Sequence, residues 1–180
     1  TDDLKRILDK LSASFPALQR VSCYGTPYNF IKKSPRELID LKDRKLTLVY
    51  VGIESGAPEI LKRITKGAAP RTILAALEKA AGVGIKVSAT VILGLGGTAH
   101  WREHIEATAA LINRAPPKFL STLQLGLDTD QEPRFCEAFT AANGPDAAGF
   151  AWQDDAGIPS ALEILLERLN PCCGVIVPSP

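Results

Sequence analysis

The chain has 180 residues, 46% of them hydrophobic and 23% charged, with a formal net charge of +1, a globular composition that can bury one sizeable core. The near-neutral balance argues against a dedicated nucleic-acid or membrane-surface binder, which needs a concentrated basic face, and no apolar run reaches the roughly 18–20 residues that span a bilayer. Four cysteines without paired, regular spacing do not make a secreted disulfide framework, and no signal peptide opens the chain, so the cytoplasm is the expected compartment.

Residues 2–15 (DDLKRILDKLSASF) carry Leu4, Ile7, Leu8 and Leu11 at helical spacing, with Asp2 or Asp3 as the cap and Pro16 as the stop. Residues 20–24 read as a short strand closed by Gly25-Thr26-Pro27. Ser34 as N-cap and Pro35 in the first helical position start a second helix, whose buried side is assigned to Leu38, Ile39, Leu41 and Leu46. The run Leu48-Val49-Tyr50-Val51 reads as a strand buried on both faces, stopped at Gly52. Pro58 begins a short helix with Leu61 and Ile64 on its apolar side, and Lys66-Gly67 closes it.

An alanine-rich helix follows over residues 70–82, with Ile73, Leu74 and Leu77 on one side, and Gly82 and Gly84 stop it. Residues 85–93 form the longest strand candidate, with Gly94-Leu95-Gly96-Gly97 at its carboxyl end. A helix over residues 99–113 ends before Pro116-Pro117, and a further strand covers residues 119–127. Gly, Pro, Ala and Asp dominate residues 128–158, which read as a long surface loop or insertion. A last helix covers residues 160–169, with Leu162, Leu165, Leu166 and Leu169 on one side, and an edge strand is expected at residues 175–177.

Strand and helix thus alternate at roughly 30 to 40 residues per unit, the α/β pattern of βα units around a parallel sheet. No fixed-period repeat is present, and four strands are too few for a closed eightfold barrel of about 250 residues. Three stretches are expected: residues 1–127 as the βα part, 128–159 as an irregular loop or insertion, and 160–180 as a C-terminal helix and tail. The chain starts at Thr1 directly in helical sequence and holds no methionine, which points to a processed or truncated piece of a longer protein.

Glu54 stands at the carboxyl end of its strand, where ligands bind in α/β folds and where a carboxylate can accept from a ribose diol or an amino group. The alternative is a surface glutamate, solvated or paired with Lys66. Gly94, Gly96 and Gly97 let backbone approach a ligand and offer N–H groups to an anion, although their spacing matches neither the dinucleotide fingerprint nor the phosphate loop. His100 and His104 share a helical face, but the order His-Trp-Arg-Glu-His is not that of a zinc helix, no third ligand presents itself, and a solvated or capping role is preferred. Cys23, Cys136, Cys172 and Cys173 form no Cys-x-x-Cys pair, and no serine sits in a nucleophile elbow.

Three stretches taken in order resemble the radical S-adenosylmethionine (radical SAM) superfamily. They are Val51-Gly52-Ile53-Glu54-Ser55-Gly56, then Glu59-Ile60-Leu61-Lys62-Arg63-Ile64-x-Lys66-Gly67, then Val91-Ile92-Leu93-Gly94-Leu95-Gly96-Gly97. His104, Thr108, Ala109, Leu111, Ile112 and Asn113 continue the likeness, as does the run from Phe119 into Leu125. The resemblance leans toward members related to oxygen-independent coproporphyrinogen oxidase and the Elp3-like oxidoreductases, and it runs from about Ser22 to Leu127.

That resemblance implies a partial (β/α)6 TIM-like barrel with parallel strands, the N-terminal βα units missing and about strands three to six present. It implies S-adenosylmethionine and a [4Fe-4S] cluster as cofactors of the full-length parent. There, reductive cleavage of the first at the second gives a 5′-deoxyadenosyl radical that abstracts hydrogen from substrate. Glu54 and Ser55 would face the ribose or methionine moiety, Ile92, Leu93 and Gly94 would lie against the adenosine, and Gln124 is a further candidate. An electron donor such as flavodoxin or ferredoxin is the implied partner. The Cys-x-x-x-Cys-x-x-Cys cluster motif is absent from the 180 residues, so no cofactor is expected on this chain alone, which is expected to be inactive without its parent. Two further classes stay open: a non-catalytic module binding a nucleotide-like ligand through Glu54 and the Gly94-Gly97 turn, and a scaffold. Missing units would also leave the flank of the first strand open, and self-association through it is expected.

Overall fold

In the computed structural model, which describes residues 1–141, 150–153, 157–170 and 174–176, the strands form one parallel sheet. They are β1 (Val21–Gly25), β2 (Leu46–Glu54), β3 (Lys86–Leu93), β4 (Phe119–Gln124) and β5 (Gly174–Ile176), and their spatial order is their chain order. Every neighbouring pair is parallel. Sequential order without reversal is how a βα barrel winds, whereas a doubly wound sheet reverses at a switch point. The expectation of a partial parallel barrel therefore holds. β1 lies at one edge and pairs only with β2 among the described residues.

The helices are α1 (Asp2–Ser14), α2 (Pro27–Ile31), α3 (Pro35–Asp43), α4 (Pro58–Arg63), α5 (Pro70–Val83), α6 (Gly97–Arg114), α7 (Glu132–Ala141) and α8 (Gly157–Arg168). Proline opens α2, α3, α4 and α5, at the one helical position where its missing N–H costs nothing. At α3 the Ser34 hydroxyl accepts the Glu37 N–H at 3.2 Å, while the Glu37 carboxylate accepts the Ser34 N–H at 2.8 Å, a reciprocal cap that satisfies two otherwise open donors of the helix start. Gly84 ends α5 in the left-handed region at φ 76°, which a side chain would resist.

Strand alternation divides the sheet into two faces. Val49, Val51 and Ile53 of β2, Val87, Ala89, Val91 and Leu93 of β3, and Leu120 of β4 join Leu8, Phe30, Leu41, Ile73, Ile105, Ile112 and Leu165 in one apolar core. Helices α1, α2, α3, α5, α6 and α8 therefore all lie on the same side. The residues between these positions look the other way. The register aligns Tyr24, Tyr50, Ser88 and Phe119 in one row and Gly52, Thr90 and Ser121 in the next. Among the described residues none of those six helices covers this inner face, and at its carboxyl end Ile92 packs on the small cluster of Ala57, Ile60 and Leu95 beside α4.

Several sequence expectations need correction. β2 is buried on its inner face only in part: Leu48 is 4% exposed, but Tyr50 is 36% exposed and its neighbour Tyr24 is 89% exposed. Leu46 begins β2 rather than ending α3, and Ile39 stands 42% exposed while Leu38 and Leu41 are buried. A turn of 100° per residue carries Ile39 off the packed stripe, and Ile7 on α1 is exposed for the same reason. The last strand of the βα run stops at Gln124 rather than residue 127, and Asp2 and Asp3 fall inside α1, with Thr1 at the cap. Two helices went unread. In α2, Thr26 N–H donates to Asn29 Oδ1 at 2.7 Å and Phe30 is buried. In the stretch expected to be irregular, α7 packs Phe135 against Phe139, one turn apart. The edge strand expected at residues 175–177 is β5, although Val177 lies outside the described residues, as do Cys172 and Cys173.

Candidate active site

The carboxyl end of β2 is built around a backbone strain. Glu54 has φ 59°, and the Ser55 N–H donates to the Ile53 carbonyl at 2.7 Å. A hydrogen bond across one residue in the left-handed region is a γ-turn, a rare conformation for a non-glycine residue. Its effect is to fold the Glu54 carboxylate back over Gly52. A Cβ at Gly52 would overlap Glu54 Oε1 and come within 3.2 Å of Lys66 Nζ, so glycine supplies the space that the carboxylate fills. Gly52 lies between two core-facing residues, which puts the carboxylate over the inner face. Lys66 Nζ donates to Glu54 Oε1 at 2.6 Å, and the two side chains are 23% and 17% exposed. The pairing with Lys66 is thus present, in a shielded position rather than on an open surface.

Ser55 and the residues after it are clamped to α6. His104 is 1% exposed, with Nε2 at 3.0 Å from the Ile92 carbonyl of β3 and Nδ1 at 2.8 Å from the Ser55 hydroxyl. A carbonyl only accepts, so Nε2 carries the proton and bare Nδ1 accepts from the Ser55 O–H. The Ser55 oxygen accepts the Ala57 N–H at 3.0 Å. Gly56 N–H donates to Thr108 Oγ1 at 2.8 Å, and the Thr108 hydroxyl donates to the His104 carbonyl at 2.6 Å. A Cβ on Gly56 would overlap the Ala107 carbonyl, so the turn and the helix touch backbone to backbone. Burial pushes the His104 pKa down to about 4, against a smaller opposing effect of the Ile92 carbonyl. The solvated or capping role expected for His104 is replaced by a buried, neutral, doubly bonded one.

In the glycine turn after β3 the Gly97 amide is already engaged. Gly97 N–H donates to the Gly94 carbonyl at 2.9 Å, and Thr98 N–H donates to the Ala151 carbonyl at 2.9 Å. A Cβ on Gly97 would meet the Ala151 carbonyl and the Phe150 ring. Phe150 in turn packs edge-on to Phe135, Phe139 and Trp152. The start of α6 is therefore capped by the chain itself at Gly97 and Thr98, which takes those two amides out of an anion cradle.

Of the sequence candidates, Glu54, Ser55 and Ile92 converge. Ile92 is half-buried on the inner face, and its carbonyl holds His104. Leu93 is 3% exposed and belongs to the core between sheet and helices. Gln124 is exposed and shares register with Leu93, so by alternation it follows the helix side. Gly94 has φ 90°, and a Cβ there would press on Ile158 at 3.1 Å. The sequence reading missed Thr90, which lies beside Gly52 in the ladder, and gave Lys66 no role beyond pairing. The period-two step back from Ile92 was the available signal for Thr90.

No cluster of three or more His, Cys, Asp or Glu among the described residues could hold a metal ion. His100 lies 3.8 Å from Glu103, and both nitrogens of His104 are engaged. Cys23 faces the helix side of β1, and burial pushes its thiol pKa up, away from the thiolate a cluster needs. The described residues do not fit an iron–sulfur cluster. The charged groups beside Gly52 are the paired Glu54 carboxylate and Lys66 ammonium.

Sequential parallel winding defines the chain as a βα-barrel type of protein. A profile of the radical SAM superfamily matches residues 3–112, and the chain belongs to that superfamily. Solved structures share the fold. Coproporphyrinogen III oxidase (HemN) from Escherichia coli, described as a radical SAM enzyme, superposes with TM-score 0.66 at 16% identity, over 91% of this chain and 35% of that one. The radical SAM methyltransferase TsrM from Kitasatospora setae, solved with cobalamin and a [4Fe-4S] cluster, gives 0.63 at 15% identity over 98% and 42%. Methylornithine synthase (PylB) gives 0.59 at 10% identity over 98% and 51%. The chain spans about a third to a half of the length of these three structures. A sequence search of curated proteins finds no match. Among the described residues no helix is long and apolar enough to cross a membrane.

Proposed function

We propose that this chain is the cofactor-holding part of a radical SAM oxidoreductase barrel, and that its inner face binds S-adenosylmethionine. The observation that carries the reading is the Glu54–Lys66 pair lodged over Gly52 at the carboxyl ends of β2 and β3. The methionyl end of the cofactor carries an ammonium and a carboxylate, and the pair presents the complementary charges at one place. Glu54 would accept from the ammonium or a ribose hydroxyl, Lys66 would donate to the carboxylate, and Ile92 would offer an apolar surface to the adenosine. Thr90 adds a hydroxyl beside the glycine gap. When bound, the cofactor supplies the means of abstracting hydrogen from a substrate once it receives one electron. The described residues do not supply the thiolates of a [4Fe-4S] cluster, so the cluster, and an electron donor such as flavodoxin or ferredoxin, would belong to the full-length parent.

Titration of the chain with S-adenosyl-L-homocysteine, followed by NMR, tests the reading. Glu54→Gln keeps the shape and removes the charge, and it is expected to weaken binding at least tenfold, equivalent to about 1.4 kcal/mol. Gly52→Ala places a methyl group where the carboxylate lies and is expected to do the same. Unchanged affinity in Glu54→Gln would overturn the assignment.

A further inference from the structure

We infer that His104 is the positioning residue of this cofactor cradle, tying the end of β2 to the end of β3 so that Glu54 and Ile92 meet one ligand; the inference rests on the inner-face reading above. The sheet does not make this tie by itself. The β2–β3 register is regular up to Gly52 opposite Thr90 and then slips, so that Glu54 falls opposite Val91. A slip of this kind interrupts the ladder and leaves strand ends to be held by other groups. His104 approaches from α6, a third element, and spends one ring nitrogen on each strand end.

A second argument comes from strain. A non-glycine residue at φ 59° persists only where its surroundings over-determine it. Lys66 holds the carboxylate itself, and the backbone after Glu54 is held by α6. The Ser55 hydroxyl is held by His104 Nδ1, and the Gly56 N–H by Thr108 Oγ1, one helical turn further along α6. Release of Ser55 removes the hydrogen bond nearest the γ-turn, and an extended backbone at Glu54 would carry the carboxylate away from Gly52. The neutral Nε2–H form of His104 is the only one that satisfies both partners.

The test is a double-mutant cycle on the full chain, with S-adenosyl-L-homocysteine as the probe and thermal melting as the control. His104→Gln retains a donor toward the Ile92 carbonyl and loses the acceptor for Ser55, and Ser55→Ala removes the other half of the same bond. Each is expected to weaken binding at least fivefold in the wild-type background and less than twofold in the Glu54→Gln background, because the effect travels through Glu54. Full weakening in both backgrounds would make His104 an ordinary core residue and overturn the inference. So would unchanged binding in both variants while Glu54→Gln is weakened, an outcome that leaves the cradle itself standing. Wild-type affinity in Glu54→Gln would remove the cradle and the inference together. If His104→Gln fails to fold, Ser55→Ala carries the cycle alone, and its unchanged binding overturns the inference.

Discussion

Along β2, Val49, Val51 and Ile53 are at most 5% exposed and meet the helices, whereas Tyr50, Gly52 and Glu54 between them look onto the opposite face. The first set is uniformly apolar. The second holds a phenol, a glycine gap and a charged pair, and it ends in a left-handed turn. β3 repeats the division, with Val87, Ala89 and Val91 in the core and Ser88, Thr90 and Ile92 opposite. Burial on one face supplies the stability, and the other face is thereby free to hold charge and strain that a core would reject. The two roles meet at His104 and Thr108, which are buried on α6 but bond to the strand ends and the turn after β2.

Truncation on the core side gives the largest effect on stability. Ile53→Ala leaves a cavity at a fully buried site and is expected to cost about 3 kcal/mol, measured by urea unfolding. The folded fraction should still bind S-adenosyl-L-homocysteine within twofold, and a larger loss would show that the faces are not separable.

The pH dependence comes next. The ordinary pKa of histidine lies near 6.5, and burial holds that of His104 at about 4. Between those values the unfolded chain binds more proton than the folded one, so the contribution of His104 is complete above pH 6.5 and is lost as pH falls through 4. The loss amounts to about 3 kcal/mol on this side chain. Comparison with His104→Gln across pH 4 to 7 isolates it from the carboxylates, and parallel stability curves would contradict it.

The smallest effect on stability is expected at the strained turn. Glu54→Gly relieves the left-handed backbone but loses the Lys66 pair, and the two offset to within about 0.5 kcal/mol. Thermal melting should scarcely move while binding of S-adenosyl-L-homocysteine disappears. A clear drop in melting temperature would show that Glu54 stabilises the fold rather than spending stability on a site.

Much of the framework was legible. Pro35, Pro58 and Pro70 open helices where the sequence places them, and Gly84 closes one. Glu54 was legible as a strand-end carboxylate, since an apolar β-branched run stops just before it. Ile39 misled, because apolar character at one position says nothing about which way a short helix is rolled. α7 was hidden by its Gly-, Pro- and Asp-rich neighbourhood, although Phe135 and Phe139 stand at helical spacing. Gln124 and Leu93 were assigned to the site by their place at strand ends, whereas alternation directs them to the other face.

By itself the sequence determined the alternation of strand and helix, the parallel barrel class and the position of Glu54, because hydrophobic period, capping and chain breakers act over a few neighbouring residues. Only the tertiary structure decided that His104 is buried between two strand ends, that Gly56 touches α6 and that Ala151 caps the glycine turn. Each of those contacts joins residues far apart in the chain, and their partners become neighbours only when the helices close over the sheet.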